Sequence, residues 1–128
     1  MGWGGGTNAS TTFAFYYDTS GNFTATGNVT AYSDARIKTN IKTIDNALEK
    51  TLKLRGVTYT RTDIENTKTQ MGLIAQEVFD IVPEVVSEPK SNDDKYTVAY
   101  GNMVGLLIEA IKEQQERIEA LEEKLNGN

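Results

Sequence analysis

The hydrophobic positions change period twice along this chain, and the two changes divide it into three parts. In the first, Thr11-Thr12-Phe13-Ala14-Phe15-Tyr16-Tyr17 is a run of β-branched and aromatic residues that predicts a strand. Asp18-Thr19-Ser20-Gly21 is a turn signal, and Asn22 to Thr30 alternates as a second strand would. Two strands alone are marginal in water. This part therefore needs a partner surface, either the rest of the chain or copies of itself.

From Thr43 the period becomes helical. Ile44, Leu48, Leu52 and Leu54 approximate one helix face, with Thr43 or Asp45 as N-cap and Gly56 as the stop. Val57-Thr58-Tyr59-Thr60 predicts a strand, and the polar run Asp63 to Thr69 a hairpin connection. Met71 to Ile74 is short and apolar and leads into a short helix over Ala75 to Val82. Pro83 ends that helix, because proline blocks continuation and restricts its predecessor. Val85-Val86 and Tyr96 to Tyr100 predict paired strands joined across Pro89 to Asp94. The fold class expected is α+β: a small mixed domain of short strands, a long C-terminal coiled-coil helix, and a β-rich piece before it.

The third part carries the clearest pattern. Val104, Leu107, Ile111, Gln114, Ile118, Leu121 and Leu125 follow 3-4-3-4 spacing without a break, an a/d seam across about three heptads. Beyond Gln114 nearly every position outside the seam is Glu, Gln, Lys or Arg. A lone amphipathic helix on a core shows a wider apolar stripe, so self-association accounts for this half better. The heptads alone leave dimer and trimer open.

Composition narrows the chemistry. The 128 residues allow one domain, or one small domain with an appendage. Without Cys or His there is no disulfide, no thiolate metal site and no Ser-His-Asp triad within the chain. Proton transfer near neutral pH falls to Lys, Asp, Glu, Tyr or water. The net charge of -5 argues against nucleic acid as a partner, since phosphate neutralisation needs clustered Lys and Arg. No apolar run approaches the roughly 20 residues of a membrane span, and no signal peptide is expected. Gly2-Trp3-Gly4-Gly5-Gly6 reads as the interior of something longer.

The candidate chemistry lies where the uncharged first part meets the charged second, at Ser33-Asp34-Ala35-Arg36-Ile37-Lys38-Thr39-Asn40-Ile41. Serine becomes a nucleophile when a base takes its proton, and a lysine does this as the neutral amine. Ser33 and Lys38 are the candidate pair. Arg36 is a neighbouring cation that favours a neutral lysine, and Asp34 opposes it unless turned aside. Five residues apart on a helix lie roughly 140° around the axis, and on a strand they face opposite sides. A turn between them, or contact between two copies, is required. Taken alone, Ser-x-x-x-x-Lys is a weak motif that a polar turn with an exposed lysine also satisfies.

In order along the chain, the seam is followed by Val57-Thr58-Tyr59, Gly72-Leu73-Ile74-Ala75-Gln76-Glu77-Val78, Val82-Pro83-Glu84-Val85-Val86, Val98-Ala99-Tyr100 and Leu106 to Glu113. This ordered set resembles the intramolecular chaperone auto-processing domain at the end of endosialidase-type phage tailspikes, tail fibres and neck appendages. It is similar also to the self-cleaving segment of myelin-type regulatory factors. The resemblance implies a homotrimeric chaperone that assists folding of the upstream β-structured fibre of its own chain and then cuts itself off. It implies a Ser-Lys dyad at Ser33 and Lys38; Asp34 and Arg36 beside the pair are supporting candidates, as are Gln76 and Glu77 from their place in the matching stretch, where a cap on the short helix is the alternative, and no cofactor or metal is expected. On its terms residues 1–32 are the fibre end, 33–102 the auto-processing body and 103–128 the oligomerisation helix. Folding and cutting would take place in the host cytoplasm during virion assembly, leaving the upstream part in the virion tail. The scissile bond is Tyr32-Ser33 or Ser33-Asp34. Attack on the preceding carbonyl closes a five-membered ring, whereas attack on serine's own carbonyl needs a strained four-membered one. Two other readings stand beside this one: a trimerisation cap that never cuts, and a receptor- or glycan-binding fibre tip using Trp3, Tyr16 and Tyr17 for stacking.

Overall fold

The computed structural model describes residues 2–4, 14–65 and 68–127 and divides into two compact units, Met1–Ile41 and Lys42–Asn128. The first unit holds an antiparallel sheet in the order β1 (Gly2–Gly4), β2 (Phe15–Tyr17) and β3 (Phe23–Ala25). The β2–β3 turn is built by Asp18, whose carboxylate accepts from the backbone N–H groups of Ser20 and Asn22, both at 2.9 Å. Gly21 supplies the positive φ of 84° that closes the turn. The register pairs Phe15 with Ala25 and Tyr17 with Phe23, and the Phe15 and Phe23 rings meet diagonally at 5.3 Å.

The expected first strand begins at Thr11, but residues 11–13 lie outside the described residues. The expected second strand reaches Thr30, yet the observed one stops at Ala25. At its end Thr26 donates its backbone N–H and its hydroxyl to the Ala14 carbonyl.

The second unit runs α1 (Ala47–Lys53), β4 (Val57–Tyr59), β5 (Gln70–Gly72), α2 (Ala75–Phe79), β6 (Val86–Ser87), β7 (Thr97–Val98) and α3 (Met103–Leu125). The strands form two antiparallel pairs, β4–β5 with Val57 opposite Gly72 and β6–β7 with Val86 opposite Val98. Ala47, Leu48, Val78, Val82, Val85, Met103, Leu106 and Ala110 are the buried core. The architecture is mixed α+β with short strands and a long terminal helix. Among the described residues no helix is long and apolar enough to cross a membrane.

Helix boundaries differ from the sequence expectation at the end of α2 and at both ends of α1, which stops at Lys53 with Leu54 already extended rather than running to the stop at Gly56. Helix α1 starts at Ala47 rather than after Thr43 or Asp45, because Asn46 turns the chain at a φ of 51°. Its N-terminus has no local side-chain cap; Glu113 of α3 serves instead, accepting from the N–H groups of Ala47 at 2.7 Å and Leu48 at 3.2 Å. The buried face is correspondingly Ala47 and Leu48, leaving Leu52 71% exposed. Helix α2 stops at Phe79, short of Val82. Pro83 excludes helical backbone at Val82 (φ -134°) and then begins a 3-10 turn over Pro83–Val85.

Tyr100 ties the strand pairs to the start of α3, its hydroxyl accepting from the Leu73 N–H at 3.0 Å. Gly72 makes room for it, since a Cβ there would sit 2.6 Å from the Tyr100 hydroxyl. Helix α3 presents two different faces. Met103, Leu106 and Ala110 are buried, with Glu113 half-buried next along that row, whereas Val104, Leu107, Ile111, Ile118, Leu121 and Leu125 are exposed. Replacing Leu106, which is 2% exposed, by Ala is expected to cost about 2–5 kcal/mol in denaturant unfolding. Glu113→Ala is expected to cost about 1 kcal/mol by loss of a helix cap, read the same way.

Candidate functional site

The stretch from Ser33 to Ile41 belongs to the first unit and every residue in it is exposed. Its backbone is extended at Asp34 (φ -70°, ψ 136°), makes one 3-10 turn over Ala35–Ile37, and is extended again at Lys38 (φ -120°, ψ 142°). Two backbone bonds close the turn, Ile37 N–H to the Asp34 carbonyl and Lys38 N–H to the Ala35 carbonyl, both 3.1 Å. The Asp34 carboxylate adds a third by accepting from the Arg36 N–H at 2.8 Å. This is the turn that the five-residue spacing required. It brings Lys38 Nζ to 2.6 Å from Ser33 Oγ within one chain.

Asp34 and Arg36 are held by each other. The guanidinium donates to the carboxylate through Nε at 3.1 Å and through Nη2 at 2.7 Å, a two-point pair. Side-chain hydrogen bonds from Arg36, and then its backbone N–H, hold the Asp34 carboxyl below the usual carboxylate range. A depressed carboxylate contributes its cap fully above the ordinary carboxylate range and loses it as pH falls through the lowered value. The Arg36 charge is thus already engaged within the turn.

Gln76 and Glu77, the other supporting candidates, belong to the second unit. Glu77 pairs with Arg55 at 2.7 Å, and that contact holds its carboxyl below the usual range. Gln76 lines an open cleft of about 670 Å³ together with Tyr59, Arg61, Tyr96 and Tyr100. Among the described residues no group of three or more His, Cys, Asp or Glu could hold a metal ion. In the first unit Tyr16 is half-buried and Tyr17 exposed, and the backbone of Trp3 pairs with that of Tyr16. Sequence reasoning missed two residues that organise the second unit, Glu113 and Tyr100. Nothing local marks either, because each acts on a segment distant in sequence.

Chemically, Ser33 and Lys38 form a hydroxyl–amine contact at proton-transfer distance. The peptide carbonyl of Tyr32 immediately precedes it, and the Tyr32 side chain is 95% exposed.

Comparison with known proteins places this geometry in a wider setting. Residues 33–87 match the family model described as chaperone of endosialidase. The chain is 39% identical over 103 residues to the long tail fiber protein Gp37 of Enterobacteria phage K3, and equally to that of Enterobacteria phage T2. It is 36% identical over 87 residues to the Gp37 of Escherichia phage AR1. The K3 and T2 matches cover 77% of this chain and 8% of each fibre protein.

Proposed function

Residues 33–87 belong to the chaperone-of-endosialidase family, and on that premise we propose that the chain is the C-terminal intramolecular chaperone of a phage fibre. Three copies associate through α3, hold the ends of three fibre chains in register, and are then released by self-cleavage beside Ser33. Residues 1–32 are the fibre end, 33–102 the chaperone body and 103–128 the oligomerisation helix.

The observation that carries the self-cleaving reading is the 2.6 Å contact between Lys38 Nζ and Ser33 Oγ. As the neutral amine, Lys38 takes the Ser33 proton, and Oγ attacks the Tyr32 carbonyl carbon through a five-membered ring. The Tyr32–Ser33 C–N bond breaks, and its nitrogen takes the proton back from Lys38. An ester between the Tyr32 carbonyl and Ser33 Oγ remains. Water hydrolyses it, restoring the hydroxyl and freeing the Tyr32 carboxylate. Asp34, Arg36, Gln76 and Glu77 are supporting residues, not reacting ones.

A neutral lysine is favoured by burial or by a nearby unpaired cation. In one chain Ser33 and Lys38 are exposed, and Arg36 is paired with Asp34. Burial then has to come from the other chains, which makes cutting wait on assembly. That order suits a chaperone. Non-local β pairing across chains is slow, because it must close before it is rewarded. Holding the ends together raises the effective concentration of the other two chains. Removing the chaperone afterwards leaves a fibre whose persistence is kinetic.

The same exposure of Ser33 and Lys38 favours a second reading, a trimerisation cap that never cuts. Intact mass of the chain, purified with its upstream fibre segment, separates the two. Self-cleavage yields two fragments meeting at Ser33. A single uncut mass from the folded assembly would leave the cap.

A further inference from the structure

We propose that Asp34 is a positioning residue for the Ser33–Lys38 pair, fastening the 3-10 turn that brings the lysine amine onto the serine hydroxyl. The inference rests on the self-cleaving reading but concerns a different residue and a different bond.

In an extended chain, residues five apart are separated by roughly 16 Å, far beyond the reach of one lysine side chain. Ser33 and Lys38 meet only because the backbone between them turns. An isolated 3-10 turn is a poor structure, with weak hydrogen-bond geometry and a costly nucleus. Here every residue of it is exposed, so no packed core holds it. Its two backbone bonds are of ordinary length, 3.1 Å each. What distinguishes this turn is Asp34, which caps it through the Arg36 N–H at 2.8 Å and grips the Arg36 side chain at two points. The backbone cap and the side-chain pair act on opposite ends of one residue inside the turn, so both oppose its opening.

The two contributions are separable. Asp34→Asn keeps an oxygen that can cap the Arg36 N–H but removes the charge pair. Asp34→Ala removes both. If the cap fastens the turn, Asp34→Ala lowers the first-order cutting rate about tenfold, the usual scale of a lost cap, and Asp34→Asn recovers most of it. Arg36→Ala, which leaves the cap intact, stays within about threefold of the parent chain, since exposed ion pairs contribute little. The experiment follows cutting by intact mass in the full chain with its upstream fibre segment. It also records acylation of Lys38 by an amine-reactive ester, located by peptide mass, in chains not yet cut. Opening of the turn releases the amine from its 2.6 Å contact with Ser33 Oγ, so Asp34→Ala raises Lys38 labelling and Asp34→Asn restores protection.

Equal cutting and equal labelling in Asp34→Ala and the parent chain would overturn the positioning role. The labelling arm reads the turn whether or not the chain cuts. A whole parent chain with Asp34-dependent protection therefore sinks the self-cleaving reading alone.

Discussion

Lys38→Arg is expected to leave the chain whole, with cutting slower by about 10²–10⁴-fold, the range contributed by a positioned general base. Arginine keeps a cation and hydrogen-bond donors beside Ser33 Oγ, so it preserves much of the 2.6 Å contact. It cannot give up its proton under ordinary conditions. The substitution therefore separates two roles that the distance alone leaves together: holding the serine hydroxyl and deprotonating it. Ser33→Ala, which removes the nucleophile, is expected to be uncut as well. Both sites are exposed and outside the buried core, so neither change should lower the unfolding midpoint. Cutting by Lys38→Arg within tenfold of the parent rate would show that Lys38 only orients Ser33. Water or a group from another chain would then have to be the base.

Ile118→Asp is expected to reduce the assembly to single chains without unfolding the second unit. Ile118 is 43% exposed in one chain, and no residue of α3 beyond Glu113 is buried. The side chain therefore contributes little to the fold of the single chain. In the proposed three-stranded seam it would face its own copies. Three carboxylates brought together in that interior would cost several kcal/mol, well beyond the stabilisation of one apolar layer. Sedimentation equilibrium reads the mass, and circular dichroism reads the helix. A partial loss of helicity should accompany dissociation, because the half of α3 beyond Glu113 is too short to persist alone in water. If α3 is the association surface, the mass falls to that of one chain while the core transition remains. An unchanged oligomer would assign association to another surface. A changed oligomer that also lost its core transition would mean Ile118 supports the single-chain fold.

Much of this was legible along the sequence because it depends on neighbours in sequence. The β2–β3 turn follows from Asp18 and Gly21, whose side chain and backbone freedom act within a few residues. The long terminal helix follows from an unbroken 3-4 repeat. Strand β4 falls on the expected run from Val57, while β6 and β7 overlap theirs only in part, since Val85 belongs to the 3-10 turn after Pro83 and only Thr97–Val98 of residues 96–100 pairs. The candidate pair Ser33 and Lys38 could be named from spacing and company, although spacing left open whether they met within one chain.

Other features were decided by tertiary structure. The seam of α3 was readable, but not that the same helix uses a second row, Met103, Leu106 and Ala110, against α1. Two rows offset by one position overlap in a linear pattern, and only packing tells which is buried inside the chain. The start of α1 was misplaced because its cap comes from Glu113, 66 residues away, and local cap rules see only adjacent side chains. Helix α2 ends at Phe79, and the chain has left helical backbone at Val82, the residue that Pro83 restricts. Period, turn chemistry and candidate reacting groups are local properties, and the sequence by itself determined them. Which face is covered, which distant carboxylate caps a helix and how Lys38 reaches Ser33 are matters of three-dimensional proximity, set only once the chain has folded.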